Sequence, residues 1–231
     1  MSGLVTLAFA AVVWVGVHAG IAGTRVRATI VGRIGEWPFR AVFSAISIAA
    51  IWFLVASYNA APATPLWFAP DWLRWLLAVA MLPAFVLFVA SVATRNPTMV
   101  GGERAAAAKA EPRGIQRVTR HPMLWSFAIW SGVHVLGNGD SASVLFFGAF
   151  LVTALVGMPS IDAKLARRDP VGWARLSAAT SILPFGAIAA GRNHLALREI
   201  GWVPPVVGLV LWAPVLHFHR AVFGVAPVMV G

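Results

Sequence analysis

The sequence predicts an all-α polytopic integral membrane protein, a helical bundle of about six transmembrane helices in one domain, residues 1–231. Three observations carry this. Of 231 residues, 59% are hydrophobic and 11% are charged, about half the charge of an ordinary soluble domain. The mean hydropathy is +0.80. Apolar runs recur at lengths near the ~17–25 residues that a helix needs to cross a bilayer. No polar stretch is long enough to bury a core of its own, so no separate soluble domain is expected.

The first run, LVTLAFAAVVWVGVHAGIAG, has no basic segment before it and arginines after it, and reads as a span rather than a cleavable signal peptide. Spans are expected at 3–22, 39–58, 72–93, 121–137, 141–158 and 203–219. The loops after the first, third and fifth hold all of the Lys and Arg except Arg74 and Arg220. Under the positive-inside rule these basic loops face the cytoplasm and both termini face outward, to the periplasm if the membrane is a bacterial inner membrane. Trp37, Trp52, Trp67, Trp72, Trp202 and Trp212 lie mostly near span ends, where indoles anchor at the interface. The segment 57–71, SYNAAPATPLWFAPD, reads as an outer-surface loop. The segment 104–112, RAAAAKAEP, reads as a solvated linker or a short surface helix. No internal repeat stands out.

There are no cysteines. Disulfides, Cys-ligated zinc, iron–sulfur clusters and thiol catalysis are therefore excluded. The net charge of +10 follows the loop bias, so nucleic acid is not an expected partner; membrane lipid and a lipophilic small molecule are. No Ser–His–Asp spacing, HExxH, P-loop or GxGxxG pattern is present, and the eight acids are scattered.

The six histidines carry the remaining chemistry. His18 lies inside the first span, where burying an ionisable group is costly and a functional role is the default reading. With α-helical spacing Ala11, Trp14, Val15, Ala22 and Arg25 share its face, so an anionic ligand held at His18 could meet Arg25. The alternative is a neutral ring bonded to a neighbouring helix. Gly16 and Gly20 form a small-xxx-small pair on another face, a helix-packing or dimer seam. His121 precedes Pro122, which favours a first helical turn, so His121 takes a cap position among Arg117 and Arg120. Those cations and the helix dipole favour a neutral ring able to bind a metal; a plain helix cap is the alternative. His18 and His121 are expected at similar depth and can share a ligand. His134 is about 20 Å further along its helix from His121 and cannot share that ligand. HVLGNGD, 134–140, reads as a tight turn with Asp140 capping the next span. His217 and His219, two apart, point to opposite sides of a helix. His194 reads as a solvated loop residue.

With these residues in view, the chain resembles the NnrU family of bacterial membrane proteins over nearly its whole length. The matching stretches are VGVHAGIAGTRVRATIVGRIGEWPFRAVFSAISI (15–48), RVTRHPMLWSFAIWSGVHVLGNGDSASVLFFG (117–148) and SILPFGAIAAGRN (181–193). That family is associated with nitrite and nitric oxide metabolism. It is similar to the plant and cyanobacterial 15-cis-ζ-carotene isomerase, a membrane haem b enzyme whose haem histidines lie in HSG-like and TRHP-like motifs. Residue by residue these match His18 and His121. The resemblance therefore implies haem b, ligated by His18 and His121, with Arg25, Arg117 and Arg120 as partners for its propionates. It implies redox-linked isomerisation of a lipophilic polyene or a role in denitrification. The plant enzymes carry a cysteine three residues before the second histidine; Val118 stands there, so a thiolate ligand switch is impossible in this chain.

A second likeness covers about a third of the chain. Arg120, His121 and Pro122, followed by DAKLARRDPVGWARLSAATSILPF (162–185), look like the C-terminal half of membrane methyltransferases such as isoprenylcysteine carboxyl methyltransferase. Asp162 stands where Glu is usual and Leu124 where Tyr is. This likeness implies S-adenosylmethionine near Arg120, His121 and Asp162. A third expectation, without catalysis, is an accessory protein for respiratory nitrogen-oxide enzymes.

Overall fold

The computed structural model describes residues 2–22, 24–93 and 111–228. The expected linker at 104–112 lies outside the described residues up to position 110, as do Arg95, Arg104 and Lys109. Among the described residues there is no strand; Pro65 and Asp140 form an isolated bridge. The helices are α1 (Gly3–Val15), continued by a π-helical segment (Gly16–Ala22), then α2 (Arg25–Ile34), α3 (Glu36–Ala60), α4 (Asp71–Ala93), α5 (Ile115–Val118), α6 (Pro122–Asn138), α7 (Ser141–Arg168), α8 (Pro170–Ala179), α9 (Gly186–Ala189), α10 (Leu197–Ile200) and α11 (Val203–Phe223).

A helix forms at each of the six expected spans. Five are long and apolar enough to cross a membrane: Gly3–Ile21, Glu36–Ala60, Asp71–Ala93, Ser141–Arg168 and Val203–Phe223. The sixth, α6, has 17 residues, about 26 Å of helix against a hydrocarbon core of about 30 Å. α7 runs ten residues past its expected end at 158, because the polar stretch after Pro159 stays helical while its hydropathy falls. That extension carries Asp162.

Contacts sort into two compact units, Met1–Pro70 with Ser131–Ser160, and Asp71–Trp130 with Ile161–Gly231. In the first, α1 packs on α3, with Leu7, Ala10 and Leu54 buried. The outward residues Ile48 and Trp52 are exposed, as a lipid-facing surface requires. One end is closed by polar bonds. The Gly139 carbonyl accepts from the backbone N–H groups of Leu66 and Trp67, and the Trp67 indole donates to the Leu136 carbonyl at 3.0 Å. Gly139 has φ +67, and a Cβ there would overlap the Trp67 carbonyl, so glycine is required. Asp140 Oδ1 accepts from Ser143 N at 2.9 Å, the expected cap of α7.

The second unit pairs α4 with α11. The two backbones approach closely at Gly208, where a Cβ would lie 3.0 Å from Val86 N. The Trp212 indole donates to the Ala78 carbonyl at 2.8 Å. Leu87, Ala90, Ile115 and Val118 form a buried cluster with Trp125, Ile129 and Ile200 against it. Arg192 Nη1 donates to the carbonyls of Ser177, Ala178 and Thr180, satisfying the orphan C=O groups that end α8.

Candidate functional site

His18 and Arg25 belong to the first unit; Arg117, Arg120, His121 and Asp162 belong to the second. His18 sits in the π-helical turn GVHAGIA, a geometry that is uncommon and concentrates at functional positions. Its Nδ1 donates to the Trp14 carbonyl at 2.9 Å. A carbonyl only accepts, so the Nδ1 proton is committed and a neutral ring keeps its lone pair on Nε2. The ring lies 4.0 Å from the Trp14 ring and 5.7 Å from Phe43. Trp14 Nε1 is buried and makes no hydrogen bond among the described residues. His18 thus combines an open Nε2 with an unanswered donor nearby.

Two expectations about this region are corrected. The face shared by His18 does not run on to Arg25. The helix ends at Ala22, Thr24 caps a new one, and Arg25 opens α2 and is exposed. The π-helical turn also departs from the α-helical spacing behind that expectation. Among the described residues the Gly16–Gly20 pair forms no intrachain seam either: a Cβ on either residue would meet none of them within 4 Å.

His121 has the opposite arrangement. It is the N-terminal flanking residue of α6, as expected, with its carbonyl accepting from Trp125 N. It is also 1% exposed. Its Nε2 bonds Asp162 Oδ1 at 2.8 Å. Asp162 also takes the Arg120 guanidinium, Nε at 3.0 Å to both oxygens and Nη2 at 2.5 Å to Oδ2. Arg120 in turn lies 5.1 Å over the Trp173 ring. His121 Nδ1 is buried and has no hydrogen-bond partner among the described residues.

The loop at 180–186 holds this cluster. Arg120 N donates to Ser181 O and Phe185 N to Val118 O. Thr119 Oγ1 and the Trp125 indole both donate to Ile182 O, at 2.7 and 2.8 Å. Phe185, at φ 62, is the non-glycine residue in the left-handed region among the described residues. Such strain persists where the surroundings over-determine it, here through the bond to Val118.

Arg117 is engaged elsewhere. Its Nε and Nη2 bond the two Glu199 oxygens at 2.8 and 3.0 Å, and its Nη1 bonds Asn193 Oδ1 at 2.8 Å. The Arg117 bond, helped by Gly114 N–H, holds the Glu199 carboxyl at about 2. The same carboxylate raises Arg117 above its already high value. Arg117 and Arg120, both expected to meet propionates, are thus already matched by carboxylates of this chain. Sequence reading did not foresee Glu199, Trp173 or the Asp162–His121 bond; Asp162 was reached only through the second likeness.

The other histidines sit outside these arrangements. His134 stacks on Phe147 at 4.6 Å. His219 Nδ1 bonds the Val225 carbonyl, His217 packs edge-on against Phe218, and His194 is exposed in a loop. Among the described residues no three His, Asp or Glu side chains cluster as a metal site. A fit test for an imidazole-bound metal therefore rests on single rings. His18 offers Nε2. His121 offers Nδ1, a buried orphan atom whose opposite nitrogen is backed by a carboxylate, the arrangement found behind many metal-bound histidines. The donor chemistry fits.

The chain is 28% identical over 201 residues to the chloroplastic 15-cis-zeta-carotene isomerase of Zea mays, covering 83% of this chain and 51% of that protein. It is 27% identical over 186 residues to the Arabidopsis thaliana protein of the same name, covering 78% and 49%. The chain thus spans about half the length of the curated relatives it matches. No solved structure gives a significant match. The family model described as NnrU protein matches residues 6–227, and the chain therefore belongs to the NnrU family.

Proposed function

We propose that this protein binds haem b in a bacterial inner membrane, its basic loops cytoplasmic, and acts in redox-linked isomerisation of a double bond in a lipophilic polyene. The relatives named as isomerases support the reaction class. The observation that carries the reading is the state of the two histidines. Each has one ring nitrogen committed to an acceptor of this chain and the other open.

When bound, haem b supplies a one-electron redox centre. The chain's own residues do the rest. His18 presents Nε2 from an aromatic setting of Trp14 and Phe43. His121 presents Nδ1 with Asp162 behind it, and Trp14 Nε1 can donate to an acid group. Val118 offers no thiolate and the chain has no cysteine, so any change of ligand in this chain proceeds without a thiolate.

The test is a reduced-minus-oxidised visible spectrum of the detergent-purified protein from haem-supplied cells, beside His18→Ala and His121→Ala. A Soret band in the parent that is lost in both variants is expected. A flat parent spectrum, or unchanged haem in both variants, overturns the reading. A setting in nitrite or nitric oxide metabolism additionally requires impaired denitrification in a deletion strain.

One observation favours a second reading. Arg120, His121 and Asp162, aligned by the likeness to membrane methyltransferases, form one bonded cluster beside Trp173. Methyl transfer predicts saturable binding of S-adenosylmethionine and no Soret band. Absence of that binding in calorimetry removes it.

A further inference from the structure

We infer that Asp162 is a positioning residue for His121: it fixes the ring as the Nε2–H tautomer and makes Nδ1 the atom through which His121 takes its ligand. The inference rests on the reading that His121 binds a ligand, and it specifies the atom and the residue that selects it.

The argument is one of donors and acceptors. Asp162 accepts from Arg120 through both oxygens. A carboxylate so paired is ionised and can only accept, so the 2.8 Å contact to His121 requires the proton on Nε2. Nδ1 then carries either a lone pair or a second proton. A second proton would bury an N–H donor with no acceptor, since Nδ1 has no partner among the described residues. It would also add a cation beside Arg120, whose charge already matches that of Asp162. The Nε2–H tautomer is the form that agrees with the Arg120-paired carboxylate on Nε2. Its remaining feature is a buried Nδ1 lone pair to which no described group donates, the kind of atom through which an imidazole binds a metal. A carboxylate on the far nitrogen makes that lone pair a stronger donor.

His18 strengthens the assignment by contrast. Its Nδ1 is spent on the Trp14 carbonyl, which leaves Nε2. The two histidines therefore present different nitrogens. In one the choice is made by local backbone, in the other by a carboxylate 41 residues along the chain.

The test is solid-state nitrogen-15 spectroscopy of the full-length, haem-free protein in lipid bilayers. Its histidine rings are labelled, and the His121 signals are assigned by their loss in His121→Gln. A protonated Nε2 and an unprotonated Nδ1 are expected. Because Asp162→Leu alone removes one half of a buried ion pair, the acceptor is removed in Arg120→Met/Asp162→Leu, where both charges go together. There the single-tautomer signature should be lost, and Asp162→Glu should keep it. A proton on Nδ1 in the parent protein overturns the inference. So does an unchanged tautomer in the double variant, which would make Asp162 merely structural. A flat visible spectrum beside an Nε2–H tautomer sinks the haem reading and leaves this inference standing; a Soret band beside an Nδ1–H ring does the reverse.

Discussion

His18 and His121 solve the same problem, keeping an imidazole among apolar groups, in opposite ways. His18 satisfies Nδ1 with a carbonyl four residues earlier in its own helix. It needs no other element for this, and it stays half-buried. His121 satisfies Nε2 with Asp162, and that carboxylate is charge-matched by Arg120. A ring held by its own backbone can be altered with little consequence for the fold. A ring held by a buried ion pair is tied to the stability of everything around the pair.

The largest expected effect breaks the His121 side. Asp162→Leu takes the carboxylate away from the buried Arg120 guanidinium, and removing one partner of a buried pair costs about 3–5 kcal/mol. Arg120→Met/Asp162→Leu should recover most of that loss, because two well-packed apolar residues replace both charges. Thermal unfolding in detergent reads both. A double variant as unstable as the single one would show that the pair is not a unit.

The comparison sharpens at the rings themselves. His121→Ala removes a hydrogen bond to a charged group, worth about 1.5–3 kcal/mol. His18→Ala removes one to a neutral carbonyl, about 0.5–1.5 kcal/mol. Equal losses in denaturant titrations would contradict the contrast drawn between them.

Glycines give a parallel test. Gly139→Ala places a Cβ against the Trp67 carbonyl at positive φ, and should cost about 1–3 kcal/mol. Gly16→Ala and Gly20→Ala, beside His18, meet open space and should stay within about 0.5 kcal/mol in the same melts. A large loss at Gly16 or Gly20 would reveal a partner on that face.

The smallest effect is a pH dependence in the Arg117–Glu199 clamp. Glu199 has a depressed carboxyl, at about 2 against a usual 4.5, so its contribution is complete above the usual value and fades as pH falls through about 2. Amide exchange around Gly114 and Arg117 should rise over that window, and Glu199→Gln should abolish the dependence. The pair is exposed, so salt should weaken it as well.

Much of the fold was legible in the sequence. Apolar runs located all six long helices, because a helix in lipid must be apolar along its length and satisfy its own backbone. The His121–Pro122 pair marked a helix start, and NGD marked a turn with a capping Asp140. Both follow from bonds between near neighbours. The end of α7 was misjudged because hydropathy marks where lipid contact stops, whereas the helix continues into polar surroundings to Arg168.

The candidate site divides along the same line. The sequence by itself singled out the candidate residues, His18 and His121, since residue type and local spacing are written in the chain. Which ring nitrogen each offers was decided otherwise. At His18 the π-helical turn brings Nδ1 onto the Trp14 carbonyl and ends before Arg25. At His121 a carboxylate 41 positions away, carried by the unforeseen extension of α7, takes Nε2 and the Arg120 charge together. Only tertiary structure could decide that, because hydrogen-bond satisfaction in a buried place depends on which distant groups fold against it.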